Sequence, residues 1–183
     1  MGQPVPWWIT HWPGASSPVL QGITARPTED CDLPFLQSLY AGTRADEMAA
    51  TGWPAPECHD FLAQQFSLQH RYYHEHYPDA CFLLLSRGEH AIGRLYWREQ
   101  GDSASLVDVS LVPAERGRGI GTALMQLLLA RADARGQDIV LHVEPFNPAL
   151  RLYRRFGFET LSDNGVYARM RRPTHHLRGE EKS

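Results

Sequence analysis

The spacing of apolar residues divides most of the chain into short strand-like and helix-like segments. A first strand is predicted for "GITARP", which starts at Gly22. A hairpin is predicted for "ACFLLLS" and "AIGRLYW", two apolar runs joined by the short turn "RGEH". The next run, "ASLVDVSLV", alternates between the two faces of a strand, with Leu106, Asp108 and Ser110 on one face. These runs predict a β-sheet.

Helix signals precede and interrupt these strands. A first helix is predicted from "TEDCDLPFLQSLYAG", with Asp30 or Asp32 as its N-cap, Pro34 in its first turn and Gly42 at its end. Residues 56–76 carry spaced aromatic residues on a polar background, which is typical of an amphipathic helix.

The second half of the chain continues the alternation. A helix is predicted from Ile120 to a C-cap at Gly136, then a strand, "DIVLHVE". A further helix is predicted from an N-cap at Asn147 to Gly157, followed by a closing hairpin of "FETL" and "VYARMRR". The two strands linked by the helix at Ile120 are expected to pair in parallel. The predicted fold is α/β (α+β), a single domain with a mixed sheet of about six to seven strands and about four helices.

Three segments are distinguished by composition. Residues 22–172 are predicted to form the folded domain, and residues 173–183 a polar, disordered tail. Residues 1–21 are an extension rich in proline that holds three of the five tryptophans. So much aromatic surface predicts that the extension packs either across the domain or on a second subunit, so a homodimer is an open alternative.

Composition excludes several classes of protein. The chain has 183 residues, 43% of them hydrophobic and 21% charged, which is ordinary for a globular domain. A net charge of −3 argues against a general nucleic-acid binder. No apolar run approaches the roughly 20 residues of a membrane span. The three cysteines are widely spaced and suit reduced thiols, and the N-terminus lacks a signal-peptide pattern, so we expect a cytoplasmic protein.

The segment "RGRGIG" at residues 116–121 lies between a predicted strand and a predicted helix. Glycines let a ligand approach the main chain, and the first turn of a helix offers N–H groups without partners, so this is a candidate anion site. A tight turn without a ligand and an RNA-binding patch are the alternatives. The spacing is GxGxG rather than GxGxxG, and no Gly-Lys-Ser/Thr follows, so dinucleotide and P-loop sites fit less well.

Two motifs together resemble the GCN5-related N-acetyltransferase (GNAT) superfamily. "RGRGIG" fits its Q/R-x-x-G-x-G/A signature, and "NPALRLYRRFGF" fits its Asn-capped helix that carries Leu-Tyr and ends in Gly-Phe. The element order matches over residues 22–171, but the motifs are specific only over about residues 106–158. The resemblance implies direct acetyl transfer from acetyl-CoA, as cosubstrate, to a primary amine of a small molecule or peptide, without a metal. The alternative is a non-catalytic acyl-CoA sensor or interaction module on the same fold.

The cofactor-binding residues follow from this resemblance. It implies a β-bulge near Leu111, where the pantetheine arm pairs with the main chain and an N–H at Leu111 or Val112 polarises the thioester carbonyl. Main-chain N–H groups between Arg116 and Thr122 can donate to the pyrophosphate, with charge from Arg116 or Arg118. The candidate set is Leu111, Val112, Arg116, Gly117, Arg118, Gly119, Ile120, Gly121, Thr122, Asn147 and Tyr153.

Tyr153 is the candidate general acid. The resemblance implies a tyrosine here, and the phenol pKa of about 10 lies close enough to the thiol pKa of about 8.5 to protonate a departing thiolate. The alternative is a tyrosine that packs under the cofactor. The side chain of Asn147 forms a hydrogen bond either with the cofactor or with the N-terminus of the helix that it is predicted to cap.

A general base is also needed. An alkylammonium group has a pKa of about 10.4, so its neutral form lies about 4–5 kcal/mol uphill at pH 7. Asp108, in mid-strand, and Glu144, at the end of the next strand, are the candidates, and either is equally compatible with a structural carboxylate. His70, His74 and His76 suggest a metal site, but His76 cannot share a helix face with the other two. A solvated helix or an acceptor pocket are the other interpretations.

Overall fold

Seven strands form one mixed sheet in the computed structural model, which describes residues 17–174. The strands are β1 (Ile23–Pro27), β2 (Cys81–Arg87), β3 (His90–Gln100), β4 (Ser103–Leu111), β5 (Asp138–Val143), β6 (Glu159–Asp163) and β7 (Ala168–Arg172). Their order across the sheet is β1-β2-β3-β4-β5-β7-β6. β4 and β5 are parallel, as expected, whereas β1 with β2, β5 with β7 and β6 with β7 are antiparallel. The predicted α/β class and strand number are confirmed.

The described residues contain five α-helices, where the sequence predicts about four. They are α1 (Leu33–Thr43), α2 (Ala45–Thr51), α3 (Ala55–His76), α4 (Ile120–Ala134) and α5 (Leu150–Arg155). The unpredicted helix is α2, which buries none of its residues. A helix without a buried face has no apolar period, so the pattern could not reveal it.

The predicted start of the first helix is confirmed, with Asp32 at the N-cap position and Pro34 in the first turn, but its predicted end is wrong by one residue. α1 continues through Gly42 to Thr43, and Asp32 at its N-cap position makes no capping hydrogen bond. The carboxylate of Asp32 instead accepts hydrogen bonds from the Glu29 N–H at 2.8 Å and from Arg26 at 2.7 and 2.8 Å. Asp32 therefore caps the short 3₁₀ turn Asp30–Asp32 through the Glu29 N–H and pairs with Arg26, rather than bonding an N–H of α1.

The described chain forms two compact units, and β3 and β4 contribute residues to both. In the first unit, residues 17–96 and 108–120, α1 and α3 pack over β2. Its cluster of buried side chains comprises Leu36, Tyr40, Leu62, Phe66 and Leu84. Burying a side chain of this kind contributes about 1.5–3 kcal/mol, so this cluster is what holds the two helices on the sheet.

The second unit consists of residues 97–107 and 121–174 as described. Ion pairs tie its strands to α4: Glu99 of β3 pairs with Arg131 and Arg135, and Arg172 of β7 pairs with Asp133 at 2.8 Å. The buried apolar side chains of this unit include Leu124, Leu128, Ile139, Leu141 and Met170.

Two boundaries of the chain stay predictions. The limits of the folded domain at residues 22 and 172 are not tested, and most of the Trp-rich extension and of the polar tail lies outside the described residues. Within residues 17–174, none of the helices combines the length and the apolar character that crossing a membrane requires.

A column of rings joins α3 to β2. The ring centroids of Phe66 and His70 lie 5.7 Å apart, those of His70 and His74 4.4 Å, and those of His74 and Phe82 4.2 Å. Burial lowers the pKa of both histidines, and the charges of His74 and Arg94 lower the pKa of His70 further. The folded protein therefore favours the neutral form of both rings.

This column predicts acid sensitivity. Below the ordinary histidine pKa of about 6.5, the unfolded chain binds protons that the folded chain excludes, so the free energy of unfolding falls as the pH drops from 7 towards 5. We expect a smaller fall for the double variant His70→Gln/His74→Gln. Urea unfolding followed by circular dichroism at both pH values measures the difference, and carboxylates titrate mostly below this interval. Equal falls in the two proteins would contradict the prediction.

Candidate functional site

The glycine-rich segment connects β4 to α4. After β4 the chain forms a 3₁₀ turn, Pro113–Glu115, and α4 begins at Ile120. Gly117 and Gly119 have φ angles of 69° and 79°, which L-residues other than glycine rarely adopt. The backbone itself therefore requires these two glycines.

Gly121 has a different explanation. It lies in the first turn of α4 without a positive φ, and a Cβ there would meet only Leu152 Cδ2 at 3.9 Å, an ordinary contact. Glycine within a helix costs about 0.5–1 kcal/mol relative to alanine. Neither the backbone nor the packing requires glycine here, so the observation points to a ligand that approaches the N–H groups of this turn.

Glu115 anchors the start of the segment. Its buried carboxylate accepts hydrogen bonds from Arg87 of β2 at 3.1 and 3.2 Å and from Arg118 at 3.1 Å. The hydrogen bonds from Arg87 hold the pKa of Glu115 below its ordinary value. Arg116 Nε donates to the Leu111 carbonyl at 2.8 Å. Both arginines predicted to contact phosphate are thus attached to the loop while their side chains stay exposed.

A further arginine reaches the first turn of α4. Arg155 of α5 donates to the hydroxyl of Thr122 with a distance of 3.3 Å. The N-terminus of a helix carries a partial positive charge, which disfavours a cation and favours an anion. Arg155 therefore does not stabilise α4 by itself, but it would stabilise an anion bound at this turn.

The main chain of β4 continues beyond its pairing with β5. The residue pairs of the two strands end at Leu106 and Leu141, whereas β4 extends to Leu111. The N–H of Val112, one of the two predicted thioester donors, donates to the carbonyl of Ile92 at 2.8 Å. The N–H of Val112 is therefore already used within the protein.

Asp108 lies at the centre of a hydrogen-bond network. It accepts two bonds from Arg94 at 2.9 and 3.1 Å, one from the Tyr73 hydroxyl at 3.0 Å and one from the Ser110 hydroxyl at 2.9 Å. Burial is the largest single influence and lowers the pKa of Arg94, but the charge of Asp108, its hydrogen bonds and the electrostatic effects of Tyr96 and Tyr73 together outweigh burial, so the net shift is upward. This geometry matches the structural alternative for Asp108, and its role as general base stays a prediction.

Asn147 lies in the segment between β5 and α5 together with Glu144, and Tyr153 lies on α5 itself. The side-chain oxygen of Asn147 accepts the N–H of Ala149 at 2.8 Å, and its own N–H donates to the carbonyl of Glu144 at 3.0 Å. α5 begins at Leu150, so Asn147 forms a turn before the helix rather than its N-cap. Tyr153 is buried on α5, with its ring 5.8 Å from that of Phe158. The predicted catalytic roles of Tyr153 and Glu144 and the cofactor contact of Asn147 are not tested by these contacts.

His70, His74 and His76 of α3 pack against other aromatic rings. His76 stacks on Tyr72 with 3.9 Å between centroids, apart from the rings of His70 and His74, which face each other. The described residues contain no group of three or more His, Cys, Asp or Glu side chains placed to hold a metal ion.

Arg94 and Arg87 were missed by the reasoning from the sequence. Arg94 is a single charge in the apolar run "AIGRLYW", and its side chain is 3% exposed. A charge in a buried strand requires a partner, and Asp108 in the following strand was the available carboxylate. The partner of Arg87 could not be found in this way, because Glu115 lies in a loop.

The family model described as the acetyltransferase (GNAT) family matches residues 43–158, more than half of the chain. The chain belongs to this family. The mixed sheet with its parallel pair β4 and β5, and the glycine-rich segment that follows β4, agree with this assignment.

Individual relatives are more distant. The mycothiol acetyltransferase of Corynebacterium glutamicum strain R is 35% identical over 95 residues, which are 50% of this chain and 32% of that protein. The corresponding protein of Clavibacter michiganensis is 39% identical over 97 residues, 50% of this chain and 31% of its own length. This chain therefore spans about a third of these relatives.

Solved structures show the same fold. The PaiA N-acetyltransferase of Thermoplasma acidophilum, in complex with coenzyme A, has a TM-score of 0.61 at 18% identity and covers 82% of this chain and 98% of that one. The ribosomal-protein-S18-alanine N-acetyltransferase of Escherichia coli has a TM-score of 0.55 at 19% identity, and the match covers 88% of this chain and 99% of that one.

The network around Asp108 predicts a large stability effect. Asp108→Asn keeps the shape of the side chain but leaves buried Arg94 without a counter-charge, so the free energy of unfolding should fall by about 3–5 kcal/mol. Urea unfolding at pH 7 measures the loss. Ser110→Ala is the control, because it removes one neutral donor and should cost about 1 kcal/mol. Similar losses in both variants would show that the ion pair is not the structural element inferred here.

Proposed function

We propose that this chain is an acyl-CoA-dependent N-acyltransferase that moves an acetyl group from acetyl-CoA to a primary amine by direct attack in a ternary complex. The observation that carries the proposal is Gly121, a glycine that the fold does not need in the first turn of a helix preceded by the family's loop. Membership of the acetyltransferase (GNAT) family supports it, as does the coenzyme A in a solved protein of the same fold.

The glycine-rich segment suits the pyrophosphate of CoA. Main-chain N–H groups between Arg116 and Thr122 would donate to its oxygens, and the glycines leave room for the phosphates. Arg118 and Arg155 would add charge-assisted hydrogen bonds, each worth about 1.5–3 kcal/mol. Acetyl-CoA would supply the activated acyl group.

The end of β4 would hold the thioester. We assign the polarising donor to the N–H of Leu111, because the N–H of Val112 already donates to Ile92. A main-chain donor of this kind contributes about 10²–10³-fold to the rate, since it needs no reorganisation as charge develops on the oxygen.

A base and an acid would move protons. Asp108 or Glu144 would take the amine proton, and Asp108 could do so only by weakening its pairing with Arg94. Tyr153 would return a proton to sulfur from the neighbouring helix. The protein needs no covalent intermediate for this sequence of steps.

The acceptor is proposed only as a class. The similar proteins include a mycothiol acetyltransferase and a ribosomal-protein-S18-alanine N-acetyltransferase, whose names point to different acceptors. A primary amine of a small molecule or peptide is the description that the family supports. Acetyl is the default acyl group.

Gly121→Asp separates a ligand requirement from a folding requirement. The fold accommodates the Cβ and a carboxylate is favourable in the first turn of a helix, so thermal stability should stay equal or rise, whereas its charge would repel the pyrophosphate and raise the Kd for CoA at least tenfold, or about 1.4 kcal/mol. Isothermal titration calorimetry measures the Kd. Gly42→Asp is the matched control, because its Cβ would also enter open space within a helix, and it should leave the Kd unchanged. No binding to the parent protein, or equal Kd values in all three, would refute the proposed site.

Tyr153→Phe tests the proton transfer. The ring would keep its packing on Phe158, so the Kd for CoA should stay within about threefold while kcat with an amine falls about 10²–10⁴-fold. Steady-state release of CoA measures kcat. Unchanged turnover would remove Tyr153 from the mechanism. Tight CoA binding without turnover of any amine in a broad panel would favour a sensor over an enzyme.

A further inference from the structure

Three consecutive residues of β3 hold the end of β4. Arg94 pairs with Asp108, and the carbonyl of Ile92 accepts the N–H of Val112 at 2.8 Å. Gly93 lies between these two attachments. The stretch of β4 that the proposed function assigns to the thioester is therefore fixed from the β3 side.

Of these three residues of β3, Gly93 lies closest to the main chain of β4. A Cβ built on it would lie 2.4 Å from the Ser110 carbonyl oxygen, 2.8 Å from Leu111 Cδ2 and 3.3 Å from Leu111 Cα. Side-chain Cβ atoms do not approach other atoms within 3.0 Å, so any other residue would force the main chain of β4 to shift. Gly93 has no positive φ, which means that contact alone explains the glycine.

The direction of this contact orients Leu111. In a regular strand the Cβ points out of the plane of the sheet, whereas ladder carbonyls lie within it. The Ser110 carbonyl therefore lies over Gly93 and out of the ladder, which is the geometry expected of the irregularity implied near Leu111. Because a trans peptide is planar, the N–H of Leu111 points opposite to the Ser110 carbonyl and away from Gly93.

We propose that Gly93 is a positioning residue that turns the Ser110–Leu111 peptide so that the Leu111 N–H can donate to the thioester carbonyl. The inference rests on the proposed function, and it adds a residue that contacts neither substrate. Catalytic donors must be placed within about 0.5 Å, so the shift that a Cβ imposes is enough to lose the hydrogen bond.

The test follows the carbonyl itself. [1-¹³C]Acetyl-CoA bound to the parent protein should show a carbonyl resonance displaced from its free position by the hydrogen bond. In Gly93→Ala the resonance should return towards the free position, while the Kd for CoA, which lacks this carbonyl, changes less than about threefold. Gly42→Ala should keep both parent values, because its Cβ enters open space. A merely structural glycine would not separate the two readouts.

A second variant covers loss of folding. In Gly93→Ala/Leu111→Ala the contact with the Leu111 side chain is removed but the contact with the Ser110 carbonyl remains. This protein should recover part of the thermal stability that Gly93→Ala loses and still show the resonance near its free position. If the resonance in either folded variant were displaced as far as in the parent, the proposed role of Gly93 would be overturned while the proposed function would stand. Absence of CoA binding, or of any displacement in the parent, would instead overturn the proposed function on which it rests.

Discussion

The buried ion pair of Arg94 with Asp108 is the interaction on which the arrangement of β4 depends. Removing both charges from water costs several kcal/mol for each ion, and only well-placed partners offset that cost. Here Arg94 makes two hydrogen bonds to Asp108 and a further one to Gln69 of α3 at 2.8 Å, and Asp108 also accepts from Tyr73 of the same helix. The network thus fastens β3, β4 and α3 together over the stretch where β4 runs beyond its last pair with β5.

Charge at the glycine-rich segment is balanced in a different way. Glu115 holds Arg87 and Arg118, so the loop carries its cations without leaving them uncompensated in the free protein. An arriving phosphate would compete with a carboxylate for Arg118 rather than find it unpaired. Such competition lowers the affinity that Arg118 contributes. The ion pairs with Glu115, however, fix the loop before the ligand arrives and so reduce the entropic cost of ordering it on binding.

Much of this architecture could be predicted from apolar spacing and from two motifs. The hairpin, the alternating strand, the helix that starts at Ile120 and the parallel pair all leave periodic or turn signals in the sequence. α2 leaves none, because it buries no residue. The sequence leaves the role of Asp108 open, since a carboxylate in mid-strand is equally compatible with catalysis and with an ion pair; the single charge of Arg94 in the preceding apolar run is the signal that favours the ion pair. Asp32 does occupy the predicted N-cap position, but its carboxylate accepts hydrogen bonds from Arg26 and the Glu29 N–H rather than from the first turn of α1.

Glycines in this chain have three physical causes that a sequence motif does not separate. Gly117 and Gly119 are needed for their positive φ, Gly93 for contact with a neighbouring strand, and Gly121 for neither. A glycine explained by φ or by contact says nothing about a ligand, because the fold alone would retain it. Gly121 destabilises its helix and allows no closer packing in exchange. This cost in stability supports a bound ligand independently of any resemblance to a family. The main chain is left exposed at Gly121 and is turned by its contact with Gly93. The proposed chemistry depends on main-chain N–H groups at both places.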